Sequence, residues 1–152
     1  MSRAFVKETE ELEDLADRPI SDRPNDVTAE GLNRIEHSLA AAKAAQAAAQ
    51  STGDRAAEAT ARRDLRYWSA RRATARVAPE PVDNSLVRLG HTVTIVREDD
   101  RRQTFRIVGE DEADPARGTI SHASPLARAL FGKTIGDVVA IAGGKAEILE
   151  IR

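Results

Sequence analysis

The stretch LNRIEHSLAAAKAAQAAA, residues 32–49, decides the first half of the fold. Leu32, Ile35, Leu39, Ala42, Gln46 and Ala49 recur in it at spacings of three, four, three, four and three. That is a period of about 3.5 residues, the seam of one helix packed along another. Ala fills most of the other positions and has the strongest helix propensity of any residue. Ahead of the run, Thr28 offers its hydroxyl to the free amides of a first helical turn. Behind it, Ser51-Thr52-Gly53-Asp54 supplies a terminating Gly and then a residue suited to cap a second helix. A returning arm from about Ala56 to Arg76 places Ala61, Leu65, Trp68 and Ala75 near the same seam. Residues 28–78 therefore predict an antiparallel helical hairpin, a coiled coil that is thin because Ala knobs bury little, with Leu65 and Trp68 as its anchor.

Outward from the hairpin the pattern changes on both sides. Residues 1–27 are polar, and the six acids between Glu8 and Asp17 meet no base there. Pro19 and Pro24 disfavour helix in the residues before them, so this segment predicts an acidic, flexible arm. On the other side, Pro79 and Pro81 stop the second helix and open a linker over residues 79–85. Beyond it the period falls to 2. Val93 and Ile95 alternate with Thr92 and Thr94, Glu98-Asp99-Asp100 reads as a turn, and Phe105 and Ile107 alternate with Thr104 and Arg106. Ser124-Pro125 opens a short helix that Gly132 closes, and Val138 to Ile141 and Ala146 to Ile151 read as two more strands around Gly143-Gly144. Residues 86–152 thus predict a small domain with an antiparallel sheet packed on one short helix, and the whole chain is of the α+β class.

Composition excludes several function classes. The 152 residues hold no Cys, which removes a disulfide framework, a thiolate zinc site and a Cys nucleophile. A net charge of −2 argues against a general nucleic-acid coat protein. No apolar run approaches the ~20 residues that span a bilayer, and the first residues lack the apolar centre of a signal peptide, so we expect a soluble cytoplasmic protein. Of 27 Ala, 19 lie before residue 79, so the two halves are built on different principles.

Three features are candidates for chemistry. At the hairpin tip, Gly53-Asp54-Arg55-Ala56-Ala57-Glu58, two carboxylates about one turn apart suit a shared Mg²⁺ that needs further ligands from a partner. The same residues equally describe a helix cap followed by a solvated Glu. Along the returning arm, Arg62, Arg63, Arg66, Arg71, Arg72 and Arg76 form a basic stripe opposed within residues 62–76 only by Asp64. It reads either as a steering surface for an anionic channel or as a solvated helix face, with the acidic arm available to fold onto it. Tyr67 and Trp68 interleave it; Trp68 is expected at the foot of the hairpin and Tyr67 on its rim. His37, His91 and His122 are scattered over three elements and form no metal-ligand cluster, and no phosphate loop or nucleophile triad is present.

The stretches FRIVGEDEAD (residues 105–114) and ISHASPLARALFGKTIGD (residues 120–137) closely resemble the Gre family of bacterial transcription elongation factors. The tip Gly53-Asp54-Arg55 is similar to that family's tip more loosely. The resemblance implies an FKBP-like C-terminal domain that docks at the rim of RNA polymerase's secondary channel. The hairpin would insert there and hold the polymerase's second Mg²⁺ while backtracked RNA is cleaved. Ser124, Pro125 and Arg128 match the family's Ser-Pro-x-Ala-Arg segment on the docking side. Two departures bear on activity. The family's tip reads Asp-x-x-Glu, whereas Ala57 stands three after Asp54 and Glu58 one later, a shift of about 100° around a helix. Each arm is also roughly ten residues shorter than the family's, which withdraws the tip by about 15 Å.

The expectation is a monomeric regulator that binds RNA polymerase through its secondary channel, with indirect contact to nascent RNA and no membrane. It is not an enzyme itself, has no cofactor beyond Mg²⁺ shared with the polymerase, and stimulates transcript cleavage weakly or not at all. Two alternatives stay open: a full cleavage factor using Asp54 and Glu58, and an interaction module for a partner other than polymerase.

Overall fold

A computed structural model describes residues 13–152, which divide into two units. The first unit contains residues 13–22 and 35–74; the second contains residues 23–34 and 75–152. Helix α1 (Ala29–Thr52) contributes its first turns to the second unit and the remainder to the first.

In the first unit α1 runs to the tip and α2 (Arg55–Thr74) returns. The seam read from the sequence is the buried side. Ile35, Ala42 and Ala49 are buried, and Leu32, Leu39 and Gln46 between them are half-buried. On α2, Ala59 and Ala61 are buried, while Leu65 and Trp68 are half-buried. Gly53 closes α1 at φ 70°, where the Asp54 amide donates to the Ala49 carbonyl at 3.0 Å and the Gly53 amide to the Gln50 carbonyl at 3.3 Å. This left-handed cap satisfies two carbonyls that the helix end would otherwise leave open. A Cβ at Gly53 would meet nothing within 4 Å, so only backbone strain opposes a side chain there. Gly53→Ala is therefore expected to cost about 1–2 kcal/mol, the penalty of an L-residue in the left-handed region, read as a lower melting temperature of the helical circular-dichroism signal.

The second unit is an α+β domain. Its sheet holds β3 (Thr92–Arg97), β4 (Arg102–Val108), β5 (Thr119–Ser121), β6 (Val138–Ile141) and β7 (Gly144–Ile151) in the order β5-β4-β3-β7-β6. The β3–β4 hairpin pairs Val93 with Phe105 and Ile95 with Gln103, and β7 lies antiparallel on the other edge of β3 across a bulge at Thr94/Ile95. The expectation of a purely antiparallel sheet is corrected at one edge, because β5 pairs parallel to β4. The reading missed this strand because three residues are too few to show a period, and its pairing is set by the connection that brings the chain back. A 3₁₀ turn, Pro115–Arg117, makes that return and is capped by the Asp114 side chain.

Helix α3 (Pro125–Leu130) covers the sheet. Ala127 and Leu130 join Val93, Ile95, Ile107, Ile120, Val139, Ala146, Ile148 and Ile151 in one buried cluster. The alternation of β3 thus puts Val93 and Ile95 inside, as a period of 2 requires.

A second, two-stranded sheet pairs β1 (Asp26–Val27) parallel with β2 (Arg76–Val77). Residues 26 and 27, which the sequence assigns to the arm, are therefore a strand, with Asn25, Val27 and Thr28 buried. They tie the chain just before α1 to the chain just after α2. Thr28 caps α1, its hydroxyl accepting from the Gly31 amide at 2.9 Å and donating to Glu112 Oε2 at 2.7 Å. Glu112 is 6 % exposed, and a Cβ on Gly31 would sit 2.7 Å from its carboxylate. The missing side chain at residue 31 is what lets that carboxylate approach the helix start. No helix among the described residues is long and apolar enough to cross a membrane.

Candidate functional site

The segment Ser124, Pro125 and Arg128, which the resemblance marks for docking, is a helix start with an exposed outer face. Ser124, extended at φ −66° and ψ 151°, accepts the Ala127 amide in its side chain at 3.2 Å, and Pro125 fills the first helical position. Pro is favoured there because the amide it lacks would have no partner. Ala127 and Leu130 anchor the inner face, so Pro125 and Arg128 are left on the surface.

Beside this helix an open cavity of about 660 Å³ is lined by Val77, Pro79, Val82, Leu86, His122 and Phe131 among others. Val82 is 98 % exposed, and Phe131, the residue that ends α3, is 38 % exposed. Val82 and Phe131 thus leave apolar groups in the open beside α3. The sequence reading did not single out Val82 or Phe131. The available signal was an apolar residue directly after Pro81, in a linker where nothing demanded one.

The loop beneath the cavity is held by hydrogen bonds. Asp83 accepts the Ser85 amide at 2.9 Å as well as its hydroxyl, and these bonds hold the Asp83 carboxyl below its ordinary value. His91, 2 % exposed, accepts the Arg88 amide at Nδ1, so its Nε2 carries the proton and donates to the Asp83 carbonyl at 2.9 Å. His91 is thus a structural strut. His122 presents a buried Nε2 without a partner among the described residues, and His37 is exposed on α1.

At the tip both carboxylates are already engaged. Asp54 caps α2 by accepting the Ala57 amide at 3.1 Å, and Glu58 accepts from Gln50 Nε2 at 3.1 Å. No group of three or more acidic, His or Cys side chains suited to a metal exists among the described residues. Two carboxylates with other duties do not fit a resident Mg²⁺, which prefers octahedral oxygen ligation; a shared one would need most of its ligands from elsewhere.

The basic stripe is broken by one of its members. Arg71 is 2 % exposed, on the side of α2 that Trp68 occupies one turn earlier, so it leaves the surface stripe in which the sequence placed it. Arg72 pairs with Glu36 at 2.9 Å. Arg62 and Arg66 face the arm: Arg62 lies 3.4 Å from Asp14, and Arg66 lies 2.5 Å from Asp17 and donates to the Leu15 carbonyl. Arg63 approaches Asp64 at 3.6 Å. Residues 1–12, with half of the acidic run, lie outside the described residues.

Residues 82–152 match the family model described as transcription elongation factor, GreA/GreB, C-terminal. Over these residues the chain is similar to the GreA/GreB family. Transcription elongation factor GreA of Paracoccus denitrificans is 51 % identical over 74 residues, covering 45 % of this chain and 47 % of that protein. GreA of Hyphomonas neptunium is 53 % identical over 72 residues, covering 44 % and 46 %. The chain is thus matched over about half the length of these curated relatives. Among solved structures, GreA factor homolog 1 of Thermus thermophilus aligns with 86 % of this chain and 99 % of its own, at 19 % identity and a TM-score of 0.41. The matched region holds Ser124, Pro125 and Arg128 together at α3, while Asp54, Glu58 and the arginines of the α2 stripe lie outside it.

Proposed function

We propose that this protein is a transcription elongation regulator that docks on RNA polymerase through its Gre-type domain and presents its hairpin to the secondary channel. It acts in the cytoplasm, where the polymerase is, with little or no stimulation of transcript cleavage. The observation that carries this reading is the family match over residues 82–152, which includes the capped helix bearing Arg128. Pro125, Arg128 and the neighbouring Phe131 and Val82 supply the docking surface: an exposed cation beside exposed apolar groups. That combination is typical of interface centres, where arginine and aromatic side chains dominate the binding energy.

Two features support the catalytic part of the proposal. Arms of 24 and 20 residues extend only about 36 and 30 Å at 1.5 Å per residue. The tip carboxylates are also committed to Gln50 and to the Ala57 amide.

Capture on immobilised RNA polymerase followed by a cleavage assay on backtracked complexes tests both parts. Arg128→Ala should weaken binding by a factor of about 5–30, as expected for a well-placed interface arginine. Asp54→Asn keeps the cap, since Asn caps as well as Asp, and removes only the charge. Together with Glu58→Gln it should leave cleavage at the polymerase's own rate. Robust cleavage lost in these variants would restore the full cleavage factor, and failure to bind polymerase would favour a module for another partner.

A further inference from the structure

The described part of the acidic arm lies along the arginine face of α2 in a specific manner. Residues 13–20 have no regular secondary structure. Pro19 keeps Arg18 out of helix, so the segment is open and its backbone carbonyls remain free for other donors. Asp14 lies 3.4 Å from Arg62 and 3.9 Å from Arg66, and Asp17 lies 2.5 Å from Arg66. Arg66 also donates to the Leu15 carbonyl at 2.8 Å, so one guanidinium reads two side chains and the main chain of this segment. Arg18 completes the contact from the arm's side. Its guanidinium carbon sits 3.9 Å from the centre of the Tyr67 ring and 5.4 Å from that of Trp68, and its Nη1 lies 3.2 Å from Asp64. Tyr67 and Trp68 meet edge to face at 4.9 Å, which fixes the platform on which Arg18 lies.

We propose that residues 14–18 are a built-in competitor, an acidic strap that occupies the α2 face of Arg62, Arg66 and Tyr67 and yields it to an acidic segment of a partner protein. This goes beyond polymerase docking by the Gre-type domain and depends only on the helical unit. The class of partner follows from what is seated there. Asp14 and Asp17 stand three residues apart, a main-chain carbonyl is read, and the next residue is a cation held between a carboxylate and an aromatic ring. That is the recognition of a peptide of Asp-x-x-Asp-Arg form, since a nucleic acid offers neither the peptide carbonyl nor the cation. The ion pairs are those of a latch that opens: their side chains are between 32 % and 74 % exposed. Exposed pairs of this kind are weak singly and are screened by salt. The strap holds by being tethered, which gives it a high local concentration, and a free competitor meets only the open fraction of the face.

The test uses the full chain. The probe is a fluorescein-labelled peptide, EDLADRPISD, copied from residues 13–22, with a single-stranded RNA of ten nucleotides as the second arm. The variant Asp14→Asn/Asp17→Asn/Arg18→Ala should bind the peptide at least about tenfold more tightly than the unaltered chain, as expected once the open fraction rises. Adding Arg66→Ala to it should abolish the gain. As the protein lacks Cys, Ala16→Cys gives one labelling position. A spin label there should be immobile at low salt and released by 0.5 M NaCl, independently of any partner. Equal peptide affinity in the variant and the unaltered chain, a gain for RNA alone, or a label mobile at low salt would each overturn the proposal.

Discussion

Leu130→Ala is expected to remove about 2–5 kcal/mol from the stability of the C-terminal unit, the range for deleting a fully buried leucine. Leu130 is 0 % exposed and joins α3 to the core formed by Val93, Ile95, Ile107 and Ile148. The loss combines the transfer energy of the removed methyl groups with a cavity that a close-packed sheet and a six-residue helix can scarcely collapse around. Domains of this size have only ~5–15 kcal/mol in hand. A change of 1 kcal/mol moves the melting temperature of a 60–100-residue domain by roughly 4–8 °C. We therefore expect a fall of at least about 10 °C by calorimetry, whereas Leu130→Met, which conserves volume, should cost less than about 1.5 kcal/mol. Because α3 carries Arg128, polymerase capture should vanish as the variant melts and persist below that temperature. Capture unaffected above the melting transition would mean that α3 is not the docking element.

The second large effect is expected at Glu112. Its carboxylate is buried and accepts the Thr28 hydroxyl, which itself caps the first turn of α1. Glu112→Ala leaves that hydroxyl without its acceptor in a buried place, at a cost of about 1–3 kcal/mol. Thr28→Ala removes the cap as well and should cost about 1 kcal/mol on that account. A double-mutant cycle on the two positions should return a coupling of about 0.5–3 kcal/mol, as for directly bonded neighbours. Gly31→Ala tests the same contact sterically, since its methyl would lie 2.7 Å from the Glu112 carboxylate. Additivity of Thr28→Ala and Glu112→Ala in chemical denaturation would show that the bond carries no weight.

Neither effect was equally legible beforehand. Leu130 belongs to a run whose Pro start and Gly stop announce a helix. The pair Thr28 and Glu112 is separated by 84 positions, and nothing in either local pattern names the other. The same division holds at the tip. That Asp54 caps α2 was one of two readings open from the sequence, whereas the bond from Gln50 to Glu58 depends on how the two helices meet across the turn. Arg71 shows the limit of counting charges. Six arginines along the returning arm read as a stripe, yet a helix has an inner side, and the position three beyond Trp68 falls on it.

By itself the sequence determined the helical hairpin, the change of period from 3.5 to 2 and the α+β class. Each of these is written in short-range spacing, caps and turns, which act within a few residues. Tertiary structure alone decided the parallel pairing of β5 with β4, the strand at Asp26–Val27, the burial of Arg71 and Glu112, and the seating of Asp14 and Asp17 on Arg62 and Arg66. These depend on contacts between residues far apart in the chain. A charge or a carboxylate carries no mark in the sequence of the partner that folding will bring to it.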